Sequence, residues 1–127
     1  MIAVDTSALM AIALNEPQAG ACMAALEAEE KVLISAGTVA EALIVFAHKN
    51  VGKELADVID GFGFEVVPVT HQTARRVADV HTRWGKGNHR AALNFGDCFA
   101  YAVAKEHACP LLYVGKDFAK TDIQGVL

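Results

Sequence analysis

The chain of 127 residues has few of the residues that hold extracellular or fibrous proteins together. Its cysteines, Cys22, Cys98 and Cys109, are odd in number and far apart, without the paired spacing of a zinc or redox motif. We therefore expect buried thiols in a reducing cytoplasm rather than disulfides. Only three prolines, with 54% apolar and 20% charged residues, exclude a disordered or fibrous chain.

Long apolar runs are also missing. A charged residue or a glycine interrupts every apolar stretch well before the ~20 residues that a membrane span requires. The residues from Met1 to Asp5 contain no basic region ahead of an apolar core, so we expect no secretory signal. The size and composition predict one domain, residues 1–127, without a membrane segment.

The net charge is only −4, but it is unevenly distributed. A single acid, Asp79, lies among the cations of residues 75–90. These cations, here named the basic strip, are Arg75, Arg76, Arg83, Lys86 and Arg90. A solvated helix face is the plain interpretation, and a surface that binds RNA is the functional one.

Short apolar segments alternate with helical patterns along the chain. Strands are predicted at 1–5, 31–35, 64–69 and 111–114, with 123–127 as an optional short fifth strand. Helices are predicted at 6–14, with Thr6 or Ser7 as the cap, and at 16–30, 37–48, 52–63, 73–84 and 95–107. Strands separated by helices predict an α/β fold, a three-layer α/β/α sandwich around a four- to five-stranded parallel sheet. Sites in such sheets form beyond the carboxyl ends of strands, where the strand order reverses.

Three acidic residues lie alone in segments that are otherwise uncharged. Asp5 is the only charge among the first 15 residues, Glu41 is the only one in its predicted helix, and Asp97 is the only one between positions 90 and 105. Burial of an unpaired carboxylate costs free energy, so each position needs a reason. The structural reasons would be a helix cap for Asp5, a first-turn acid for Asp97 and a buried ion pair for Glu41.

A fourth acid, Asp117, follows the predicted fourth strand, and Asp122 is an alternative in the same region. One site for Mg²⁺ or Mn²⁺ would explain all four acids, because these ions prefer carboxylate oxygens. The five histidines lack a metal-binding spacing. Ser7 and Ser35 do not lie in the turn that a nucleophilic serine requires.

Four motifs carry a family resemblance. They are Val4–Leu9 with Asp5, the helix around Glu41, Leu93–Ala102 with Asp97, and Val114–Phe118 with Asp117. In this order, and over essentially the whole chain, they resemble the acidic motifs of PIN-domain ribonucleases, in particular the VapC-type toxins of bacterial type II toxin–antitoxin modules. The resemblance implies that these four acids are catalytic and bind Mg²⁺ or Mn²⁺. Supporting roles would fall to Thr6, Ser7 and Asn94.

The resemblance also implies partners and a mechanism. Metal-activated water would hydrolyse an RNA phosphodiester, while the basic strip, with Lys49, would hold the backbone of unpaired RNA. A cognate antitoxin would lie across a helical groove and present a basic side chain to the carboxylates, and a homodimer is implied as well. Apolar contacts for the antitoxin are expected at Leu9, Met10, Ile12 and Leu14, with core packing of these side chains as the alternative.

Two other functions stay open at this point. A PIN-like module could bind RNA or protein without cutting, although the intact set of four acids argues against this. A phosphohydrolase could use Asp5 as its nucleophile. Such enzymes would normally have a second aspartate two residues later, where this chain has Ser7.

Overall fold

Strands alternate with helices along the chain, and the computed structural model describes residues 1–127. The elements are β1 (Ile2–Val4), α1 (Thr6–Ala13), α2 (Ala19–Glu27), β2 (Val32–Ser35), α3 (Ala36–His48), α4 (Gly52–Phe62), β3 (Glu65–Val67), α5 (His71–Trp84), α6 (Phe95–Glu106) and β4 (Leu111–Leu112). A short 3-10 turn follows at Phe118–Lys120. Every predicted helix and the four main strands are present, with ends that differ by a few residues.

The strands form one parallel sheet in the order β3-β2-β1-β4. The chain moves outward from β1 through β2 to β3 and then returns to the other side of β1 to form β4. The strand order therefore reverses between β1 and β4, and ligands of α/β sheets bind at such a point. The optional fifth strand is reduced to a single parallel bridge between Leu111 and Gly125.

Alternate residues of the central strands enter two separate apolar cores. In β1, Ile2 and Val4 pack with helices α1 to α4, whereas Ala3 packs with α5 and α6. Helices thus cover both faces of the sheet, and the predicted three-layer α/β/α fold is confirmed. The edge strand β3 is less covered, because Val66 is 49% exposed.

Polar side chains fix the starts of the helices that lead to the site. Asp5 caps α1 and Ser35 caps α3, while Asn94 forms a reciprocal capping box at the start of α6. The predicted cap of α1 at position 6 or 7 is wrong, because the Asp5 side chain accepts the hydrogen bond from the Ser7 amide. The cap of α1 and the end of β1 therefore meet in one acidic residue.

The three cysteines are buried and free, as predicted. They contribute apolar volume to the cores on both sides of the sheet. None of the helices combines the length and the apolar character needed to cross a bilayer.

Candidate active site

Asp5 lies directly beyond β1 and is only 3% exposed. Its Oδ2 accepts hydrogen bonds from the amide of Ser7 at 3.0 Å and from the Ser7 hydroxyl at 2.7 Å. The Ser7 hydroxyl oxygen in turn accepts from the amide of Val114, beyond β4, at 3.0 Å. Ser7 therefore joins the carboxyl ends of the two strands between which the strand order reverses.

The second carboxyl oxygen of Asp5, Oδ1, is buried and has no hydrogen-bond partner. The pKa of Asp5 is raised from 3.8 to about 7, and burial is the largest cause. The two hydrogen bonds from Ser7 lower this pKa, whereas the charges of Asp97 and Glu41 raise it further. The helix cap thus uses one oxygen of Asp5 and leaves the other without a donor. A cation beside Oδ1 would relieve both the desolvation of this oxygen and the repulsion between the acids.

Asp97 is the third residue of α6 and forms the capping box with Asn94. The Asn94 side chain accepts from the Asp97 amide at 2.8 Å, and Oδ2 of Asp97 accepts from the Asn94 amide at 3.0 Å. The pKa of Asp97 is raised to about 6, and burial is the largest cause. The hydrogen bond from the Asn94 amide lowers this pKa, whereas the charges of Glu41 and Asp117 raise it further. Asp97 is therefore both a first-turn acid and a member of an acidic cluster.

Glu41 lies on α3, the helix that begins directly after β2. The Thr6 hydroxyl donates a hydrogen bond to Oε1 of Glu41 at 2.6 Å. Through its charge, Glu41 acts on both Asp5 and Asp97. The buried ion pair considered for Glu41 is absent, because no cation lies within 4.0 Å of its carboxylate.

The structure separates the two candidates for the fourth acid. Asp117 lies in the loop after β4, and its charge acts on Asp97. Asp122 instead accepts a hydrogen bond from the Tyr101 hydroxyl and forms an ion pair with Lys105 at 3.1 Å. Burial raises the pKa of Asp122, but Tyr101, Lys105 and a nearby arginine lower it below its usual value overall. Of the two candidates, Asp117 is therefore the one whose charge acts on Asp97.

The chemistry of the donor set suits Mg²⁺ or Mn²⁺. The polar side chains at this site carry carboxylate, hydroxyl and amide oxygens, and these hard cations prefer oxygen ligands. No three His, Cys, Asp or Glu side chains are close enough to hold an ion directly in the present arrangement. Mg²⁺ commonly keeps several of its waters, so it can be held by one or two carboxylates directly and by others through water. The unpartnered Oδ1 of Asp5 is the observation that favours a cation at this position.

The basic strip extends from α5 into the loop that precedes α6. Arg76 pairs with Glu106 at 3.7 Å, and Arg83 lies 4.0 Å from Asp122. Arg83 also lies over the ring of Trp84, 4.7 Å from its centroid. The cations of the strip that form no ion pair are exposed: Arg75, Lys86 and Arg90.

An apolar groove of about 530 Å³ lies between α3 and α6 and reaches Glu41. Its walls include Ile44, which is 61% exposed, and Phe95, which is 73% exposed. Its other lining residues are Ala36, Gly37, Ala40, Val45, Val69, Gly96 and Phe99. The sequence did not reveal this groove, because its two walls are far apart along the chain.

The helix α1 residues for which antitoxin contact or core packing is predicted do not line this groove. Leu9 is fully buried, and Met10 and Ile12 pack against the core on the α1 to α4 side of the sheet. Core packing therefore describes these three side chains. Leu14 is half-buried at the end of α1.

A parallel α/β sandwich with an acidic cluster where the strand order reverses defines a class of domain, and the comparison with known sequences identifies it. The chain belongs to the PIN-domain family, whose model matches residues 2–124. A VapC ribonuclease of Mycobacterium bovis is 42% identical over 125 residues, which are 95% of this chain and 90% of that protein. Ribonuclease VapC30 of Mycobacterium tuberculosis is 40% identical, over 97% of this chain and 96% of its own.

Solved structures have the same fold. VapC20 of Mycobacterium tuberculosis, described as a Sarcin-Ricin loop cleaving toxin, matches 99% of this chain and 98% of its own with a TM-score of 0.80 at 17% identity. A chain of a toxin–antitoxin complex from Klebsiella pneumoniae matches 96% of this chain and 93% of its own with a TM-score of 0.69 at 19% identity. At these identities the likeness supports the fold.

Metal-free protein should lose stability as the pH rises from 3.8 towards about 7, because native Asp5 keeps a proton that the unfolded chain has released. The loss should be of the order of 2–4 kcal/mol, with Asp97 acting in the same direction. Asp5→Asn should remove most of it. Urea unfolding in chelator across this pH range measures the effect, with exposed Asp60→Asn as the control. A stability that rises with pH in this range would contradict the expectation.

Proposed function

We propose that this PIN-domain protein is an endoribonuclease, the toxin of a type II toxin–antitoxin module, which hydrolyses RNA phosphodiesters with water activated by Mg²⁺ or Mn²⁺. The observation that carries the proposal is the buried Asp5, whose unpartnered oxygen lies in an acidic cluster at the carboxyl end of the sheet. Relatives at 42% and 40% identity that are named VapC ribonucleases support it.

The carboxylates of Asp5 and Asp97 would hold the cation directly, while Glu41 and Asp117 would act through water or on a second ion. When bound, the cation lowers the pKa of a water molecule and neutralises negative charge that develops on the phosphodiester. The residues of the chain orient the donors. In three of these acids, a hydrogen bond from a neighbouring donor fixes one carboxyl oxygen. The donors are Ser7 for Asp5, the Asn94 amide for Asp97 and Thr6 for Glu41.

This pattern leaves one oxygen of Asp5 and of Asp97 free of any hydrogen bond within the chain. Carboxylates whose rotamers are already fixed lose little entropy when a cation arrives. The supporting roles proposed for Thr6, Ser7 and Asn94 are thus to orient the acids.

The acidic cluster repels RNA, so cations elsewhere must hold the phosphate backbone. We assign this role to the basic strip. Its exposed cations without ion pairs, Arg75, Lys86 and Arg90, are available to phosphates, whereas Arg76 and Arg83 already face acidic partners. Lys86 and Arg90 lie in the loop that leads to Asn94 and the start of α6. Binding and cleavage would then use neighbouring parts of the chain.

An antitoxin segment would occupy the groove between α3 and α6. The groove offers apolar walls with Ile44 and Phe95 and one acid, Glu41. A segment with apolar side chains and an adjacent Lys or Arg would match both features, and its cation would compete with metal for the carboxylates. The homodimer implied by the family resemblance is also proposed, and sedimentation of the free chain would test it.

Replacement of the two candidate fourth acids should affect different properties, cleavage in one case and stability in the other. Asp117→Asn should lower Mn²⁺-dependent cleavage of single-stranded RNA by at least about tenfold, because it removes charge from the cluster. Asp122→Asn should leave the cleavage rate near that of the wild type and reduce stability, because its contacts with Tyr101 and Lys105 are structural. Turnover assays and urea unfolding measure both. Cleavage that persists in Asp97→Asn, or in excess chelator, would refute the metal-dependent nuclease.

The basic strip predicts a salt-sensitive effect on RNA binding. Lys86→Ala and Arg90→Ala should each raise KM several-fold with little change in kcat. When the logarithm of the RNA association constant is plotted against the logarithm of the salt concentration, each variant should have a slope shallower by about 0.7. Kinetics at several salt concentrations measure this. Lys53→Ala, an exposed cation on α4, is the control and should behave as the wild type. Equal effects at positions 53, 86 and 90 would argue against a localised RNA surface.

The proposed antitoxin groove can be tested with adjacent residues of α3. Ile44 lines the groove, whereas Leu43, which is 50% exposed, does not. Ile44→Ser should weaken binding of the cognate antitoxin by about tenfold, whereas Leu43→Ser should not, and both should keep ribonuclease activity. Calorimetry measures the affinity, and sedimentation reports whether either change splits a homodimer. Loss of a dimer with unchanged antitoxin affinity would assign the groove to a second copy.

A further inference from the structure

Gly96 is a buried glycine in the first turn of α6. The backbone conformation at this position does not require glycine, because φ lies outside the left-handed region. Glycine in this position weakens a helix relative to alanine. Its presence therefore needs a reason in the surrounding packing.

The reason is the side chain of Glu41. A Cβ atom built on Gly96 would overlap with Oε2 and Cδ of Glu41 and would lie 2.8 Å from Oε1. The space that a side chain at position 96 would need is therefore already filled by the carboxylate. The hydroxyl of Thr6 holds the other side of this carboxylate, through Oε1 at 2.6 Å.

The crossing of α3 and α6 contains a second such contact in the opposite direction. A Cβ atom on Gly37 of α3 would lie 2.5 Å from Cδ1 of Phe99 on α6. Each helix thus supplies a glycine against which a side chain of the other helix lies. Only the contact at Gly96 involves a carboxylate.

We propose that Gly96 is a positioning residue that acts through Glu41: the missing side chain lets the Glu41 carboxylate lie over the first turn of α6, beside Asp97, while Thr6 fixes its rotamer. The catalytic consequence rests on the proposed function. The positive end of the α6 dipole favours a carboxylate at this place. Glu41 can thereby act on Asp97 although the two acids come from different helices on different parts of the chain.

A methyl group at position 96 should displace the carboxylate without unfolding the protein. The overlapping atoms are the end of a flexible side chain, so Glu41 can rotate away, at the loss of its bond from Thr6. The backbone of α6 should keep its path, because alanine is a better helix former than glycine. Glu41 would then no longer lie beside Asp97, and the cluster would contain one acid fewer.

The test is a double-mutant cycle with Gly96→Ala, Glu41→Ala and both together, measured in two ways. Mn²⁺ affinity is titrated for each variant, and the melting temperature of the metal-free protein is recorded. Gly20→Ala on α2 is the matched control, because nothing lies within 4 Å of a Cβ atom at that position.

Gly96→Ala should weaken Mn²⁺ binding about as much as Glu41→Ala, by roughly tenfold, and the double variant should be no weaker than either single one. RNA turnover should fall in kcat with KM unchanged, because Gly96 does not contact RNA in this proposal. Gly96→Ala should raise the melting temperature only when Glu41 is absent. Gly20→Ala should leave Mn²⁺ affinity unchanged.

Additive losses in Mn²⁺ affinity, or the same change in melting temperature with and without Glu41, would overturn the positioning role. If the wild type neither bound Mn²⁺ nor cleaved RNA, the proposed function would fail. The melting temperatures of the metal-free variants would still decide whether Gly96 positions Glu41.

Discussion

The pairing of β4 with β1 is the constraint on which the site depends. It brings the residues that follow the first strand and those that follow the last strand to one crevice, and the Ser7 hydroxyl joins them by binding Asp5 and the Val114 amide together. The other acids reach the same place from helices that begin beside it, α3 after β2 and α6 after its capping box. Without the return of the chain to β1, Ser7 would have no Val114 amide to bind, and the loop that carries Asp117 would not lie beside the other acids.

Helix capping and the proposed metal chemistry are compatible uses of the same residues. Asp5 and Asp97 each use one oxygen to satisfy an amide at the start of a helix. That bond fixes the rotamer, and the oxygen that remains is the one proposed for the cation. The structural role thus supplies the preorganisation that a metal site requires. Its cost is the burial of both carboxyl groups and, to a smaller extent, the repulsion between the acids, which together raise both pKa values.

Most of the fold could be predicted from the sequence, because periodic apolar patterns and capping residues are local signals. Isolated charge in apolar segments was sufficient to single out Asp5, Glu41 and Asp97. The choice between Asp117 and Asp122 was not local, because it depends on whether Tyr101 and Lys105 lie within reach. The overlap that any side chain at position 96 would have with Glu41 depends on the crossing of two helices. The groove depends on residues that are distant in the chain. The sequence does not report such distances.

The bond between Ser7 and Val114 spans 107 residues. During synthesis, β1 leaves the ribosome long before β4 exists, so the growing chain cannot assemble the crevice until the residues that follow β4 have been made. The acids therefore cannot act together while the earlier part of the chain is still being translated.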